Sequence, residues 1–510
     1  MSDESEKPDK TGLPPNDLRD DLRDRQKLKG ASVKGVAVNY VAQILRFAVQ
    51  FISQVILARL LMPTDFGLVA MAAPLVAFIQ LFADFGLTQA TVQRQNITQQ
   101  QLSFIFWINF SLSAVLGLAT VAAAPLAAWF YGEERVTPIM MVLGCTFVLS
   151  GLYAQHLALL NRRMRFVSLA LIDLISFGVG AVAGIVAALE GFGYWSIVIS
   201  RVAISLSTLG MAWAATRWLP SWPKLITDAR AILGFGGNIT AFNVVNYFSR
   251  NLDNVLIGKY LGEAQLGLYD RAYKLLLLPL SQITGPIAKV ASPLLSRLVG
   301  EPEHYRRAYL RLLETVLLLT YPGVIFAVIW SEKLIVTVLG ARWIEAAPIF
   351  AILGIGGLFA PISSSTGWLF ITQNRTREMR NCGALSSAAF VLSFIVGLPW
   401  GVIGVAGCYI AVGAVQGPLV WWAATRHGPV SFGRLMRALY PYALAGVVTA
   451  IAEYGLRQMA IAPIPGLILG LAAAYVVFVA VLLVTPGGRQ AFRDVRNQMA
   501  SLTSRLRQKS

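Results

Sequence analysis

The chain has 510 residues, of which 56% are apolar and only 14% are charged, and its mean hydropathy is +0.61. A water-soluble protein of this length needs a larger polar surface, so the composition excludes that class. The formal net charge of +17 comes from lysines and arginines in short loops between apolar stretches, where they indicate membrane topology and not nucleic-acid binding.

Residues 1–32 form a polar segment of mixed charge that contains Pro14 and Pro15. This segment lacks the apolar stretch of a secretory signal peptide. We therefore expect a disordered tail on the cytoplasmic side of a membrane.

About fourteen apolar stretches follow, and each is long enough to cross a hydrocarbon core as a helix. They lie at 35–60, 66–87, 104–130, 137–160, 167–189, 193–216, 232–258, 265–296, 309–331, 346–372, 383–400, 402–425, 436–455 and 462–485. The stretch Lys333–Gly340 is too short to span and is predicted to lie at the membrane interface. The sequence thus predicts an all-α membrane protein.

The loops between these stretches differ in charge. One alternating set of loops contains seventeen lysines and arginines, including the three of Asn161–Arg165, whereas the other set contains five, including Arg135. Because lysine and arginine accumulate on the cytoplasmic side, both termini are predicted to be cytoplasmic in a bacterial inner membrane.

The C-terminal segment 486–510 combines apolar residues at helical spacing with surrounding arginines. Its apolar positions are Phe492, Val495, Met499, Leu502 and Leu506. A basic amphipathic helix on the anionic cytoplasmic leaflet is one interpretation, and a solvated charged tail is the other.

An internal repeat divides the chain. Residues 55–68 align without a gap on residues 255–268, with identity at Val55, Leu61, Gly67 and Leu68. Because six spans separate the copies, both cross the membrane in the same direction, as in a parallel transporter repeat. We expect a first lobe of six helices (33–217), a second lobe of six helices (230–426) and a C-terminal helix pair (434–485) around a central cavity.

Polar residues form a stripe on the leading helix of each lobe. In the first span the stripe covers roughly 80° of the helix and consists of Asn39, Gln43, Arg46, Gln50 and Gln54. In the seventh span it covers roughly 100° and consists of Asn243, Asn246, Arg250, Asp253 and Asn254. The two stripes coincide at four positions under the 200-residue offset, which supports the repeat.

These stripes predict a hydrated cavity, because a charged side chain at mid-membrane costs at least about 2.5–3.5 kcal/mol. The eighth span adds Asp270, Arg271 and Lys274. At helical spacing, Asp270 is expected to pair with Lys274, and Arg250 with Asp253.

The predicted pairs leave Arg46 and Arg271 as the net positive charge of the cavity. Because guanidinium groups bind phosphate through two parallel hydrogen bonds, an anionic, phosphate-bearing substrate is favoured over a cationic drug. The predicted substrate-binding residues are Arg46, Arg250, Arg271, Lys274, Gln43, Gln50, Asn243 and Asn246. Asp253 and Asp270 are candidate ion or proton sites, and a static lock between the lobes is the alternative role of the whole set.

Four further ionisable residues, Asp173, Arg201, Lys289 and Glu314, fit either the cavity or ordinary helix packing. The chain contains no phosphate-binding GxxxxGK[ST] loop and no HExxH motif. Its three cysteines show no metal-binding spacing. We therefore predict no catalytic residue, no metal and no cofactor, and the extracytoplasmic domain that a glycan polymerase or ligase would need is missing.

The stretches 58–72 and 78–90 (ARLLMPTDFGLVAMA and FIQLFADFGLTQA) resemble the N-terminal region of the polysaccharide transporter family. These are the Wzx-type flippases of the MOP superfamily, which also contains multidrug and toxin extruders and lipid II flippases. The chain is most similar to the exopolysaccharide branch of colanic acid and succinoglycan exporters, over residues 33–485.

The resemblance implies two lobes with a central cavity and alternating access. It implies transport of an undecaprenyl-diphosphate-linked oligosaccharide from the cytoplasmic to the periplasmic leaflet, with membrane lipid around the protein. A polysaccharide polymerase and its chain-length machinery are candidate partners. The alternative is a cation-coupled multidrug antiporter of the same fold, which would require a net-negative cavity.

Overall fold

The computed structural model describes residues 41–82, 91, 97–222, 237–485 and 488–489, and within 237–250 it describes only the side chain of Tyr247. Every regular element in these ranges is a helix. The predicted tail 1–32 and nearly all of segment 486–510 lie outside the described residues.

Fourteen α-helices are numbered here in chain order. They are α1 Val41–Leu60, α2 Pro63–Gln80, α3 Gln99–Tyr131, α4 Val136–Arg162, α5 Phe166–Leu189, α6 Trp195–Thr216, α7 Gly237–Arg297, α8 Pro302–Ile329, α9 Ser331–Leu339, α10 Ala346–Thr372, α11 Thr376–Gly397, α12 Gly401–Thr425, α13 Phe432–Arg457 and α14 Pro463–Val484. Short 3₁₀ turns cover Ala341–Trp343 and Leu398–Trp400.

Long apolar helices cover most of the predicted membrane spans. Twelve ranges of the described chain are long and apolar enough to cross a membrane. Two of them are interrupted: Asn251–Arg297 at Gly262, where φ is 84° and ψ is 178°, and Thr376–Thr425 at the turn Leu398–Trp400. The predicted all-α membrane fold is confirmed, whereas the number of about fourteen spans stays a prediction. The nine-residue helix α9 includes most of the stretch predicted to be too short to span.

Local sequence explains several helix boundaries. Helices α2, α8 and α14 each begin with a proline, whose fixed φ suits the first helical turn. The Thr98 hydroxyl caps α3 by accepting a hydrogen bond from the Gln101 amide, and the Thr98 amide donates to the side-chain oxygen of Gln101. Gly132 ends α3 in the left-handed conformation, which glycine adopts without steric cost.

The outer faces of the bundle are apolar. Exposed aliphatic side chains include Leu189 on α5, Val415 on α12, Ile451 on α13 and Val476 on α14, each about two-thirds exposed or more. Soluble proteins seldom expose apolar side chains in this number, whereas lipid acyl chains solvate them. These faces are therefore lipid-facing.

Within the bundle, α3 packs on α4, α5 on α6, and α4 on α6, while α10 and α11 both pack on α12. The two groups meet where α2 packs against α7, and α10 packs on α7 within the second group. This arrangement is consistent with two lobes, whose boundaries at 33–217 and 230–426 stay a prediction.

The repeated hairpins interlock at one end of the bundle. A Cβ atom placed on Gly67 would lie 1.7 Å from the carbonyl oxygen of Glu263, and one placed on Gly267 would lie 1.9 Å from the carbonyl oxygen of Pro63. Under the 200-residue offset Gly67 corresponds to Gly267 and Pro63 to Glu263, so each contact is the repeat-related equivalent of the other. Glycine at both positions thus lets the hairpin backbones touch around a pseudo-two-fold axis, and we call this contact the glycine clasp.

Additional bonds cross between the lobes near the clasp. The Arg59 guanidinium donates to the carbonyls of Thr337 and Val338, and the Trp343 indole donates to the carbonyl of Ala58 over 2.7 Å. Beside them, Arg135 of the first lobe lies 3.3 Å from a carboxylate oxygen of Glu263. The bundle is therefore closed at the clasp end.

The C-terminal helix pair is attached to the second lobe by polar bonds. The Trp330 indole donates to the carboxylate of Glu453 on α13 over 2.7 Å, and both residues are buried. The Tyr475 hydroxyl on α14 donates to the Leu319 carbonyl over 2.8 Å. The pair therefore packs on α8.

Candidate functional site

A pocket of about 290 Å³ lies beside the first half of α1, far from the glycine clasp. Gln43, Arg46 and Gln50 of the predicted stripe line it together, with Asp173 from α5 and Gln282 from α7. Both lobes therefore contribute to this outer pocket. The signal that brings the α1 side chains together is their i, i+3, i+7 spacing.

Arg46 has a carboxylate partner within the first lobe. Its guanidinium lies 3.0 Å from Asp173 and stacks at 4.7 Å on the ring of Phe177. Both charged side chains are about half exposed, at 43% and 53%. The expectation that Arg46 is a net positive charge of the cavity is therefore wrong, because α5 brings an opposite charge to it across 127 residues of sequence.

Deeper along α1, two smaller pockets continue toward the clasp. The first, of about 120 Å³, shares the lining residue Gln50 with the outer pocket. The second, of about 20 Å³, shares Gln54 and Arg271 with the 120 Å³ pocket. The three pockets therefore adjoin, and we call the two smaller ones the inner pockets.

The second lobe lines the inner pockets with cations. Asp270 pairs with Arg271 at 2.9 Å and with Lys274 at 2.7 Å, so the predicted Asp270–Lys274 pair is present. The carboxylate is buried, whereas the Lys274 side chain is 43% exposed. The Arg271 guanidinium also stacks at 4.4 Å on Phe66 of the first lobe.

The first lobe adds Arg201 to the same surface. Ile197, Ser200, Arg201 and Ile204 line the 120 Å³ pocket opposite Arg271, at the i, i+3, i+4, i+7 spacing of one face of α6. The helical spacing of these residues is visible in the sequence, but the sequence does not show that this face of α6 points to the cavity. The described linings of the inner pockets thus hold Arg201, Arg271 and Lys274 and no carboxylate.

Asp253, a predicted ion or proton site, lies buried behind this surface. Its carboxylate accepts hydrogen bonds from the Tyr269 hydroxyl at 2.9 Å and from the Asn254 amide at 2.8 Å. The side chains of Asn243, Asn246 and Arg250 lie outside the described residues, so their predicted roles and the Arg250–Asp253 pair stay predictions.

The charge of the inner pockets suits an anion. Guanidinium and ammonium groups hold phosphate oxygens strongly where water is scarce, and the amides of Gln43 and Gln50 can bind hydroxyl groups of a polar ligand. A cationic drug would meet like charge here.

Comparison with known proteins agrees with this arrangement. Residues 56–348 match the model of the family described as polysaccharide biosynthesis protein. The chain belongs to this family. It is therefore a multi-pass membrane transporter of polysaccharide biosynthesis and not an enzyme, and the predicted polysaccharide transporter family is confirmed.

Two curated relatives and one solved structure are similar over most of the chain. The teichuronic acid biosynthesis protein TuaB of Bacillus subtilis is 27% identical over 353 residues, which are 68% of this chain and 71% of TuaB. The succinoglycan biosynthesis transport protein ExoT of Rhizobium meliloti is 25% identical over 63% of this chain and 66% of its own. The inward closed conformation of the lipid II flippase MurJ is 15% identical and superposes with a TM-score of 0.69, covering 88% of this chain and 99% of MurJ. That likeness establishes the fold.

Proposed function

We propose that this transporter is a flippase that moves an undecaprenyl-diphosphate-linked oligosaccharide from the cytoplasmic to the periplasmic leaflet of a bacterial inner membrane. The observation that carries the proposal is the cationic lining of the inner pockets, to which both lobes contribute. The product would serve exopolysaccharide or lipopolysaccharide synthesis, next to a polymerase and its chain-length machinery.

The closed clasp supports alternating access. The outer and inner pockets lie on the side of the clasp that leads to Val41, where the predicted topology places the cytoplasm. Opening of the clasp, with closure near the start of α1, would present the same pockets to the periplasm. Both termini are cytoplasmic in this mechanism.

The residues divide into roles by chemistry. Arg46, Arg250, Arg271 and Lys274 are proposed to contact the diphosphate, with Arg46 moving from Asp173 to the ligand. Gln43, Gln50, Asn243 and Asn246 offer amides for polar groups of the ligand. Asp253 and Asp270 are the proposed coupling carboxylates, because intramembrane carboxylates commonly bind protons or ions.

Charge reversal in the pockets tests the proposal. Losing one desolvated charge-assisted hydrogen bond costs about 1.5–3 kcal/mol, which weakens binding roughly ten- to a hundredfold. Arg271→Glu and Arg46→Glu should therefore abolish polysaccharide export per molecule of transporter in the membrane, because they add repulsion as well. Arg163→Glu, in an exposed loop, is the matched control.

The same experiment separates binding from structure. A static lock between the lobes predicts lower membrane abundance, with export per molecule unchanged. Normal export by well-expressed Arg46→Glu and Arg271→Glu variants would refute the cationic-cavity mechanism. In proteoliposomes, transport of a cationic dye without transport of the lipid-linked sugar would favour the antiporter.

A further inference from the structure

Arg201 lies on the α6 face that lines the 120 Å³ pocket. It sits in α6 among apolar residues, yet its side chain is exposed to the pocket that it shares with Arg271. Among the described residues, its guanidinium forms no ion pair and no side-chain hydrogen bond. Intramembrane charges normally pair with one another or face a water-filled path, so a pocket-lining guanidinium with no such bond to the described residues indicates a ligand.

The surroundings of Arg201 are cationic. Arg271, Lys274 and Asp270 are near enough to interact with it electrostatically. Asp270, however, is buried and already bonded to both Arg271 and Lys274. The repulsion that Arg201 experiences from two cations is therefore only partly offset, and an anion between α6 and α7 would relieve it.

The two sides of this anion site belong to different lobes. Arg201 comes from the first lobe, whereas Arg271 and Lys274 come from the second. A diphosphate carries more acceptor oxygens over a longer span than a single phosphate, so it can place one phosphate on each side of the pocket.

We propose that Arg201 is a specificity-determining residue that binds one phosphate of the lipid diphosphate while Arg271 and Lys274 bind the other. This inference rests on the proposed function. Arg201 thereby distinguishes the diphosphate carrier from lipids with a single phosphate, such as undecaprenyl monophosphate and phosphatidylglycerol.

Native mass spectrometry of the detergent-solubilised full chain tests this role. Undecaprenyl diphosphate and undecaprenyl monophosphate are titrated separately into wild type, Arg201→Gln and Arg163→Gln, with phosphatidylglycerol as the competitor. Arg201→Gln should weaken diphosphate binding roughly ten- to a hundredfold. It should change monophosphate binding much less, so that the preference for the diphosphate is lost. Arg163→Gln should match wild type.

Arg201→Lys provides a second variant that keeps the charge and the long side chain. Because an ammonium lacks the bidentate fork, it should restore only part of the diphosphate preference. A purely structural role predicts equal losses for both ligands, or none, and either result overturns the assignment of Arg201. If the wild-type protein binds neither undecaprenyl lipid more tightly than phosphatidylglycerol, the proposed function is refuted. The role of Arg201, which depends on that function, is then refuted as well.

Discussion

Alanine at Gly67 would force the glycine clasp apart. The added Cβ would lie 1.7 Å from the carbonyl oxygen and 2.5 Å from the carbonyl carbon of Glu263, whereas real contacts of this kind stay above 3.0 Å. Because these are main-chain atoms, no side-chain rotation relieves the overlap. The two hairpins must move apart by more than about 1.3 Å.

The cost of this movement falls on the clasp-closed conformation. Overpacking of a tightly packed contact costs about 1–3 kcal/mol, and a conformation open at the clasp avoids that cost. The ratio of open to closed molecules should therefore rise roughly 5- to 150-fold. Gly267→Ala should act in the same way, since its Cβ would lie 1.9 Å from the Pro63 carbonyl oxygen.

Cysteine labelling measures the opening. Leu61 beside the clasp is 3% exposed, so a Leu61→Cys probe in a background without the native cysteines should react slowly with an impermeant maleimide. Adding Gly67→Ala or Gly267→Ala should accelerate labelling. Gly178→Ala on α5 is the control, because its Cβ would meet no atom within 4 Å. Unchanged labelling in both clasp variants would refute the account of the clasp.

Three further predictions concern other parts of the chain. Reporter fusions should place the loop Gly132–Val136 in the periplasm and the loop Asn161–Arg165 in the cytoplasm, and the opposite signals would reverse the orientation. Arg135 lowers the pKa of Glu133 through a direct hydrogen bond, so the stabilisation from this bond is present at neutral pH and is lost as the pH falls through the lowered pKa. The difference in thermal stability between wild type and Arg135→Gln should therefore vanish in acid, and a pH-independent difference would contradict the bond. Glu453→Leu leaves a buried indole N–H unpaired and should destabilise the C-terminal pair by about 1–3 kcal/mol, whereas Glu453→Gln keeps an acceptor; equal melting temperatures for the two variants would argue against the bond.

The membrane spans were predictable because their signal is local. An apolar stretch of sufficient length forms a helix in lipid whatever its neighbours are, since backbone groups must be satisfied within the segment. The repeat was equally visible, and the structure turns both copies at the same place, at Met62 and at Gly262. The ends of long helices were less predictable: α3 has 33 residues and begins at Gln99, five residues before its predicted start, because polar first turns carry no hydrophobic signal.

The polar stripe of α1 was also visible, but its charge balance was not. Helical spacing places Gln43, Arg46 and Gln50 on one face, and they do line one pocket. The same spacing does not indicate which other helix faces these three side chains. Asp173 could neutralise Arg46 only after α5 had packed beside α1.

The sequence by itself determined the all-helical membrane architecture, the repeat and the family. Apolar length, periodicity and a repeated motif are properties of single chain segments, so they can be recognised without knowing how the segments pack. Only the tertiary structure decided which charges remain uncompensated. The pairing of Arg46 with Asp173 spans 127 residues, and the meeting of Arg201 with Arg271 needs two lobes packed on one cavity. Electrostatic energy depends on distance in space, so the net charge of a site is fixed only when the helices are in place.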